Sequence, residues 1–334
     1  MAPVYVREQG AVVRRRGERL VVTREQKELL DLPLIHLDQL VLFGNVQVTS
    51  SAVAMLLQAE VDVVFLSLYG KFRGRLMHTG SKFAQLRHAQ LKKMSHEPAN
   101  LAIARQVVVG KVHNQRGLLQ ARLGEASSVM PVQQAISSLG RLVGQAQQAQ
   151  SLDSLRGFEG SAGAVYWGAF QRLLKANLGF QGRKYFPPPD PVNALLSFGY
   201  SLLLKDVTAA VQLVGLDPFL GFFHTIDYGR PSLALDMMEE FRPVLVDGLV
   251  LGLVNEGQMT AASFEQTANP KLPLRLTEAA IDRLIEVYEK RLGEPVAHPD
   301  AGGQTSYRRA IELQVRRLAR VVLGKAKDYE PFVV

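Results

Sequence analysis

Residues 71–96 read KFRGRLMHTGSKFAQLRHAQLKKMSH, and the residue pattern changes within this stretch. Lys71 to Met77 alternates between apolar and polar side chains, as a half-buried strand does. Ser81 to His96 is instead rich in Ala, Gln, Leu and Lys, which favour helix. The change predicts a domain boundary near residues 80–97.

The residues before this stretch have the composition of short strands separated by turns. They are enriched in β-branched residues, above all Val, with Gly10, Gly17 and Gly44 at the breaks. Ser50-Ser51 is expected to cap a short helix that runs to Glu60. The strands are expected at residues 3–7, 11–16, 19–23, 39–43, 45–49 and 61–67. A small β-sheet or β-sandwich domain is therefore predicted for residues 1–85, followed by a linker at 86–97.

The residues after the boundary have helical patterns throughout. Helices are expected near residues 154–178, 191–214, 231–254, 277–292 and 304–324, and the Gly- and Pro-containing segments 257–273 and 293–303 are expected to be loops. The predicted fold is therefore α+β with two domains, in which residues 98–334 form an all-helical catalytic domain.

Composition narrows the classes of function. Of the 334 residues, 39 are Lys or Arg and 31 are Asp or Glu, so the net charge of +8 allows a polyanionic partner such as DNA. The chain contains no cysteine, which leaves oxygen and imidazole as metal ligands and fits a reducing cytoplasm. No apolar run reaches the roughly 18 residues of a membrane span, and the first residues are patterned like a strand. We expect a soluble cytoplasmic protein without a signal peptide.

Two segments of the helical part each carry one side chain suited to catalysis. Glu159 lies in FEGSAG at residues 158–163, where small neighbours allow a ligand or helix to approach, although a glutamate in a first helical turn also simply favours the helix dipole. His224 follows the apolar residues 219–223, where a histidine is either a ligand or a hydrogen-bonded core residue.

An acidic helix is predicted at residues 232–243, SLALDMMEEFRP. Asp236, Glu239 and Glu240 project away from the centre of its apolar stripe, at spacings that allow convergence on one point. The other interpretation is a solvated face of an amphipathic helix. Two carboxylates and one imidazole would suit Mg²⁺ or Mn²⁺, but the spacing alone does not establish that they meet.

Several motifs together resemble the CRISPR-associated integrase family, whose members are the catalytic subunit of spacer acquisition. The resemblance covers nearly the whole chain and rests on segments that occur in the family's order: residues 4–6 (VYV), 41–44 (VLFG), 70–75 (GKFRGR), 155–160 (LRGFEG), 183–193 (RKYFPPPDPVN), 221–224 (GFFH) and 232–243.

The resemblance implies a set of site residues. It places the metal ligands on Glu159, His224 and Glu239, with Asp236 as a nearby supporting carboxylate. Some family members carry aspartate at the position of Glu239, so glutamate is a permitted variant with a longer reach. Glu240 remains a rival to Glu239 on spacing alone.

The resemblance also implies an activity and partners. The implied reaction is transesterification, in which a prespacer 3′-hydroxyl attacks a phosphodiester of the CRISPR repeat with Mg²⁺ or Mn²⁺ as cofactor. The implied partners are double-stranded DNA, a second copy of the chain through the N-terminal domain, and a small dimeric CRISPR-associated companion protein. No ATP is used in this step, which agrees with the absence of a Gly-Lys-Thr/Ser phosphate loop from the sequence.

Two groups of side chains are candidates for DNA contact. Arg309, Arg316 and Arg320 lie opposite the apolar stripe of the last predicted helix, where arginines also serve simply to keep a surface soluble. Arg183 and Tyr185 lie in a loop, where they suit a phosphate or a stacked base, or only stabilise the loop.

Two other functions are also compatible with the sequence. A general metal-dependent nuclease acting on branched or single-stranded DNA would use the same residues. A non-enzymatic DNA-binding scaffold would leave Glu159, His224 and Glu239 apart in space.

Overall fold

The computed structural model describes residues 2–25, 27–68, 72–76, 83–176, 178–185, 187–269 and 273–334. Lys71 and residues 77–82, which belong to the predicted boundary stretch, lie outside these ranges. The chain divides into two compact units, Met1–Ser81 and Lys82–Val334. The first unit consists mainly of strands and the second mainly of helices, as the α+β prediction required.

The N-terminal unit contains eight described strands and one helix. The elements are β1 (Ala2–Val6), β2 (Val12–Arg16), β3 (Arg19–Arg24), β4 (Lys27–Pro33), β5 (Leu37–Phe43), β6 (Gln47–Val48), α1 (Ser50–Gln58), β7 (Asp62–Leu66) and β8 (Phe72–Leu76). They form two four-stranded sheets, with strand orders β1-β5-β7-β8 and β4-β3-β2-β6. Strands β1, β5 and β7 are parallel, and β8 is antiparallel to β7.

One apolar core is shared by both sheets and α1. Val13 and Leu20 come from one sheet, Leu40 and Val63 from the other, and Leu56 from α1, and all five are fully buried. The alternation that predicts strands also explains this burial, because every second side chain of a strand lies on the same face. Burial of apolar surface is the main favourable contribution to the stability of such a unit.

The C-terminal unit is built from nine described α-helices. They are α2 (Ala84–Ser95), α3 (Glu97–Ala121), α4 (Val129–Gln147), α5 (Leu152–Leu173), α6 (Pro191–Val214), α7 (Ser232–Met238), α8 (Gly248–Asn255), α9 (Glu278–Gly293) and α10 (Tyr307–Val322). Helix α3 packs against α4 and α5, while α6 packs against α7 and α10. Helix α3 also contacts α7, so α5, which carries Glu159, and α7, which ends just before Glu239, lie against a common helix.

Helix α6 is the core helix of this unit. It begins at the side-chain cap of Asp190 and ends at Gly215, whose φ of 100° is the left-handed conformation that glycine adopts without strain. By length and composition alone α6 would suffice to cross a membrane, but 78% of its most apolar window is buried inside the protein. The helix is thus apolar because it is surrounded by other helices.

Two expectations about the second unit are wrong. Four short strands form two antiparallel pairs, β9 (Phe264–Gln266) with β10 (Leu274–Leu276) and β11 (Pro295–His298) with β12 (Gly303–Ser306). They lie in or beside the segments interpreted as loops, so the unit is not all-helical. Strands of three or four residues are too short for a period of two to stand out from turn composition.

The predicted linker at residues 86–97 is the second correction. Most of it forms α2, which packs against α3 and α10 within the second unit. Leu86 is buried, and the fully buried Gln90 donates from its amide to the carbonyl oxygens of Asp217 and Leu220, each at 2.9 Å. These buried hydrogen bonds make the segment part of the helical domain. The polar composition of α2 gives no indication of this burial.

Candidate active site

The acidic segment does not continue as one α-helix through residues 232–243. Helix α7 ends at Met238, and a π-helical turn covers Arg242–Asp247. Pro243 lacks an N–H group, so the carbonyl of Glu239 has no normal helical partner. Turns of this kind are frequent at functional sites because they change the direction of side chains. Glu239 and Glu240 lie at this break.

Asp236 organises the loop that carries His224. Its carboxylate accepts backbone N–H groups from Phe222 at 2.6 Å, Phe223 at 3.0 Å and His224 at 2.9 Å. It also lies 2.7 Å from Nδ1 of His224. Because a carboxylate only accepts hydrogen bonds, Nδ1 carries the proton, and the lone pair of the neutral ring is on Nε2. The structure thus gives Asp236 a supporting position.

Gly221 permits this close approach of loop and helix. A Cβ atom at Gly221 would lie 2.8 Å from the backbone carbon of Ser232 and 2.9 Å from Oδ2 of Asp236. Real Cβ atoms are not found at such distances, so any side chain here would push the loop away from α7. The close packing of this loop against α7 therefore requires glycine at position 221.

Glu159, Glu239 and His224 lie together in the second unit. The ammonium group of Lys111 forms ion pairs with Glu159 and, at 2.7 Å, with Oε2 of Glu239. Nε2 of His224 lies 3.8 Å from Oε1 of Glu239. The three side chains come from α5, the break after α7 and the loop before α7. A scaffold in which these residues are far apart is excluded.

Opposite charges around Glu239 and Lys111 offset the cost of burying these two groups. Burial alone would raise the pKa of Glu239, but the positive charges of Arg242 and Lys111 lower it to about 2. Burial would likewise lower the pKa of Lys111, yet the carboxylates of Glu239 and Glu159 raise it. Both groups are therefore ionised at neutral pH.

The donor set suits a divalent cation of the magnesium type. It offers carboxylate oxygens of Glu159 and Glu239 and the unprotonated Nε2 of His224, with no thiolate. Oε2 of Glu239 is buried, and its close contact is the ion pair with the Lys111 ammonium. In the side-chain arrangement of this structure, no group of three His, Asp or Glu residues among those described could hold a metal ion. Lys111 is the cation between the two carboxylates.

Glu240 points to a different place. Its fully buried carboxyl group accepts hydrogen bonds from the hydroxyl of Tyr329 and the backbone N–H of Phe332, each at 2.7 Å. Burial raises the pKa of Glu240 to about 8, despite these hydrogen bonds. Of the two adjacent glutamates, only Glu239 lies beside Glu159 and His224. Glu240 holds the C-terminal segment.

A second buried network supports Arg242, whose guanidinium group lies 3.5 Å from Oε1 of Glu239 and 4.9 Å from the ring centre of Tyr200. The Tyr200 hydroxyl donates to Asp247 at 2.5 Å, and the Tyr166 hydroxyl donates to the same carboxyl group at 2.8 Å. Burial raises the pKa of Asp247 to about 6. The network fixes Arg242 beside Glu239.

The candidate DNA contacts have different surroundings. Arg309 and Arg316 both pair with Glu312, and Arg320 pairs with Asp300, although each arginine side chain remains 43–50% exposed. Arg183 donates to Asn193 at 2.9 Å and to Ser197 at 3.1 Å, so it stabilises its own loop. Tyr185 is 77% exposed and open to a ligand.

Sequence reasoning missed Lys111, Arg242 and Asp247. Lys111 did carry a signal, because it is a single charge in the apolar segment VVVGKV at residues 107–112. Arg242 stands three residues after Glu239, the spacing of neighbours on one helix face. Asp247 lies in another apolar run and carried no signal beyond that.

Sequence comparison finds relatives along the whole chain. A family profile described as CRISPR associated protein Cas1 matches residues 4–290. The chain is 38% identical over 333 residues to the CRISPR-associated endonuclease Cas1 3 of Thermus thermophilus, covering 99% of this chain and 97% of that protein. It is 37% identical over 338 residues to a Cas4/Cas1 exonuclease–endonuclease fusion of Geobacter sulfurreducens. That match covers 99% of this chain, which spans 60% of the fusion protein's length.

Comparison with solved structures finds the same fold in several proteins. The fold is similar to a chain of a Cas6-RT-Cas1–Cas2 complex, with a TM-score of 0.86, 25% identity, and coverage of 99% of this chain and 36% of that one. It also resembles a CAS1 protein from Thermotoga maritima, with a TM-score of 0.84, 24% identity, and coverage of 99% and 100%. A casposase bound to integration product shares the fold, with a TM-score of 0.83, 23% identity, and coverage of 99% and 93%.

Proposed function

Because the chain belongs to the CRISPR-associated Cas1 family, we propose that it is the metal-dependent DNA integrase of CRISPR adaptation. Its reaction is transesterification. A prespacer 3′-hydroxyl oxygen forms a new bond to phosphorus in the repeat, and the phosphorus–oxygen bond to the neighbouring nucleotide breaks. The leaving oxygen takes up a proton as the attacking hydroxyl loses one. One bond replaces another, so no nucleotide cofactor is required.

The observation that carries this proposal is the meeting of Glu159, His224 and Glu239. Residues 65 and 15 positions apart along the sequence come to one site, where both carboxylates contact Lys111. A group of acidic residues that merely solvates helices would be exposed, whereas the Glu239 side chain is 3% exposed. Buried charges are costly unless they are paired or bind a cation.

The chain's own residues supply position and electrostatics. Asp236 holds the His224 loop through three backbone N–H groups and fixes the proton on Nδ1. Arg242 lies beside Glu239 and limits the repulsion between neighbouring carboxylates. Such fixed charges and dipoles stabilise a transition state without reorganising during the reaction.

Glu159, His224 and Glu239 are the residues that would hold Mg²⁺ or Mn²⁺. When bound, such a cation supplies charge stabilisation at the attacked phosphate and acidifies a coordinated hydroxyl group. Oxygen-rich donor sets favour these ions over zinc, which most often takes thiolate and imidazole ligands.

DNA and protein partners follow from the same proposal. One structural relative is a chain of a Cas6-RT-Cas1–Cas2 complex, and another is a casposase bound to integration product. We infer that this chain acts on double-stranded prespacer and repeat DNA in the prokaryotic cytoplasm. It would do so as a homodimer through its N-terminal unit, with a small dimeric companion protein.

Strand-joining assays test the proposed function directly. A labelled prespacer with free 3′-hydroxyl ends, incubated with repeat-bearing DNA and Mn²⁺, is expected to yield longer joined products. Prespacers with 3′-deoxy ends are the control and are expected to yield none, because the nucleophile is missing. Shortened fragments without joined products would identify a general nuclease instead.

DNA affinity is expected to weaken as salt rises, because each phosphate contact releases counterions. Replacing Arg309, Arg316 and Arg320 together by glutamine should reduce the slope of log K against log salt by about 0.9 for each arginine that contacts a phosphate. Fluorescence anisotropy with a labelled duplex at several salt concentrations measures this slope. An unchanged slope would leave these arginines only their ion pairs with Glu312 and Asp300.

A further inference from the structure

Lys111 is a buried charge in the middle of the candidate active site that the proposed reaction does not use. It extends from α3, and its side chain is 11% exposed. Its ammonium group contacts Glu159 from α5 and Glu239 after α7. The three residues come from three separate elements, so their meeting is a property of the folded unit.

We propose that Lys111 is the built-in counter-cation of the metal-free site, and that a divalent cation displaces its ammonium group from between Glu159 and Glu239. This inference rests on the proposed metal site. It assigns Lys111 a defined role: it holds the two carboxylates together before metal binds and competes with the metal for them.

Two carboxylates that approach one point repel each other strongly when they are screened from water. Arg242 contacts Glu239 at 3.5 Å, so the cation that bridges both carboxylates is Lys111. An uncompensated pair would destabilise the fold as long as no other cation neutralises it.

A divalent cation bound by both carboxylates requires the oxygens that now surround the ammonium, and two cations at that distance repel each other. Oε2 of Glu239 is buried and lies 2.7 Å from the Lys111 nitrogen. The oxygen that a metal would take is therefore the one that the ammonium now contacts. Metal binding is thus an exchange of one cation for another.

Replacing Lys111 is expected to raise the affinity for metal and to lower the stability of the protein without metal. Replacing Lys111 by glutamine removes the competitor, so we expect Lys111→Gln to bind Mn²⁺ about tenfold or more tightly, since a nearby unit charge changes the binding energy of a divalent ion substantially. The same variant loses the counter-cation, so without metal it is expected to melt at a lower temperature. Mn²⁺ should then raise its melting temperature more than it raises that of the unmodified protein.

Calorimetric titration of the full chain with Mn²⁺ at neutral pH is the test. Lys92→Gln is the matched control, since Lys92 is an exposed residue of α2 and the charge change is the same; it should leave the affinity unchanged. Lys111→Arg keeps the charge and should bind Mn²⁺ no more tightly than the unmodified protein. If the unmodified protein binds Mn²⁺ and Lys111→Gln binds it equally or less tightly, the inference is overturned while the metal site stands. If no Mn²⁺ binds to either protein, both are overturned.

A second measurement needs no variant. Acetylation of the unmodified protein by a water-soluble amine reagent, read by mass spectrometry, reports how accessible each lysine is. Adding Mg²⁺ is expected to increase labelling of Lys111 severalfold and to leave labelling of Lys92 unchanged. Unchanged or reduced labelling of Lys111 in protein that binds Mg²⁺ would contradict displacement of the ammonium.

Discussion

Glu159→Gln, His224→Ala and Glu239→Gln are each expected to reduce strand joining by about 1,000-fold or more. Loss of a metal ligand removes several kcal/mol of transition-state stabilisation, and about 1.4 kcal/mol corresponds to each factor of ten. Affinity for duplex DNA should change little, because phosphate contacts elsewhere on the surface provide most of the binding energy. Strand-joining rates and fluorescence anisotropy on the same preparations measure the two effects separately.

Two controls accompany these variants. Asp153→Asn changes an acidic residue of the same helix as Glu159, but its side chain is 92% exposed, and joining should be retained. Glu240→Gln tests the assignment on the acidic segment, and it should also join DNA. Loss of joining in Glu240→Gln together with full activity in Glu239→Gln would move the site by one residue. Full activity in all three site variants would refute the metal site.

Glu240 is expected to make the stability of the helical unit depend on pH. Its pKa in the folded protein is about 8, compared with an ordinary value of 4.5, because burial disfavours the charged form. Between these values the folded protein holds a proton that the unfolded chain releases. The contribution of Glu240 to stability is therefore greatest at low pH and falls as pH rises through this window, by at most about 1.4 kcal/mol per pH unit.

Glu240→Gln removes this proton and so isolates the effect. The free energy of unfolding of the unmodified protein is expected to fall relative to that of Glu240→Gln by about 2–4 kcal/mol between pH 5 and pH 8. Urea unfolding in the presence of a chelator measures it, followed by the fluorescence of Trp167. This residue is the chain's single tryptophan and lies in α5, so the signal reports on the helical unit. Parallel pH profiles for the two proteins would mean that Glu240 stays charged throughout this range.

Glutamine is chosen over alanine at position 240 for a structural reason. Alanine would leave the buried Tyr329 hydroxyl and the Phe332 backbone N–H without an acceptor. Each unsatisfied buried donor costs about 1–3 kcal/mol. Such a variant would lose stability regardless of any proton, and its pH profile would be difficult to interpret.

The sequence by itself determined the order of the two units and most of the helices. Periodicity is a local property, and burial of one face requires it wherever an element is long. Helix α6 is predicted at its observed limits, 191–214, because a side-chain cap and a glycine mark its ends. The short strands β9 to β12 were missed, since three or four residues carry too little pattern. The polar segment 86–97 was misread because Gln90 is buried through hydrogen bonds that no composition reveals.

The residues of the candidate site were likewise predicted only in part from the sequence. Resemblance of ordered motifs selected Glu159, His224, Asp236 and Glu239 from the sequence, but spacing left Glu239 and Glu240 equivalent. From the sequence, only the register of the resemblance favoured Glu239. The tertiary structure separates the two by their contacts, because the break before Pro243 places one beside Lys111 and the other against Tyr329. Lys111 itself lies 48 residues from Glu159 along the chain. Its role depends on three elements meeting in space, and long-range packing of this kind leaves no local pattern in a sequence.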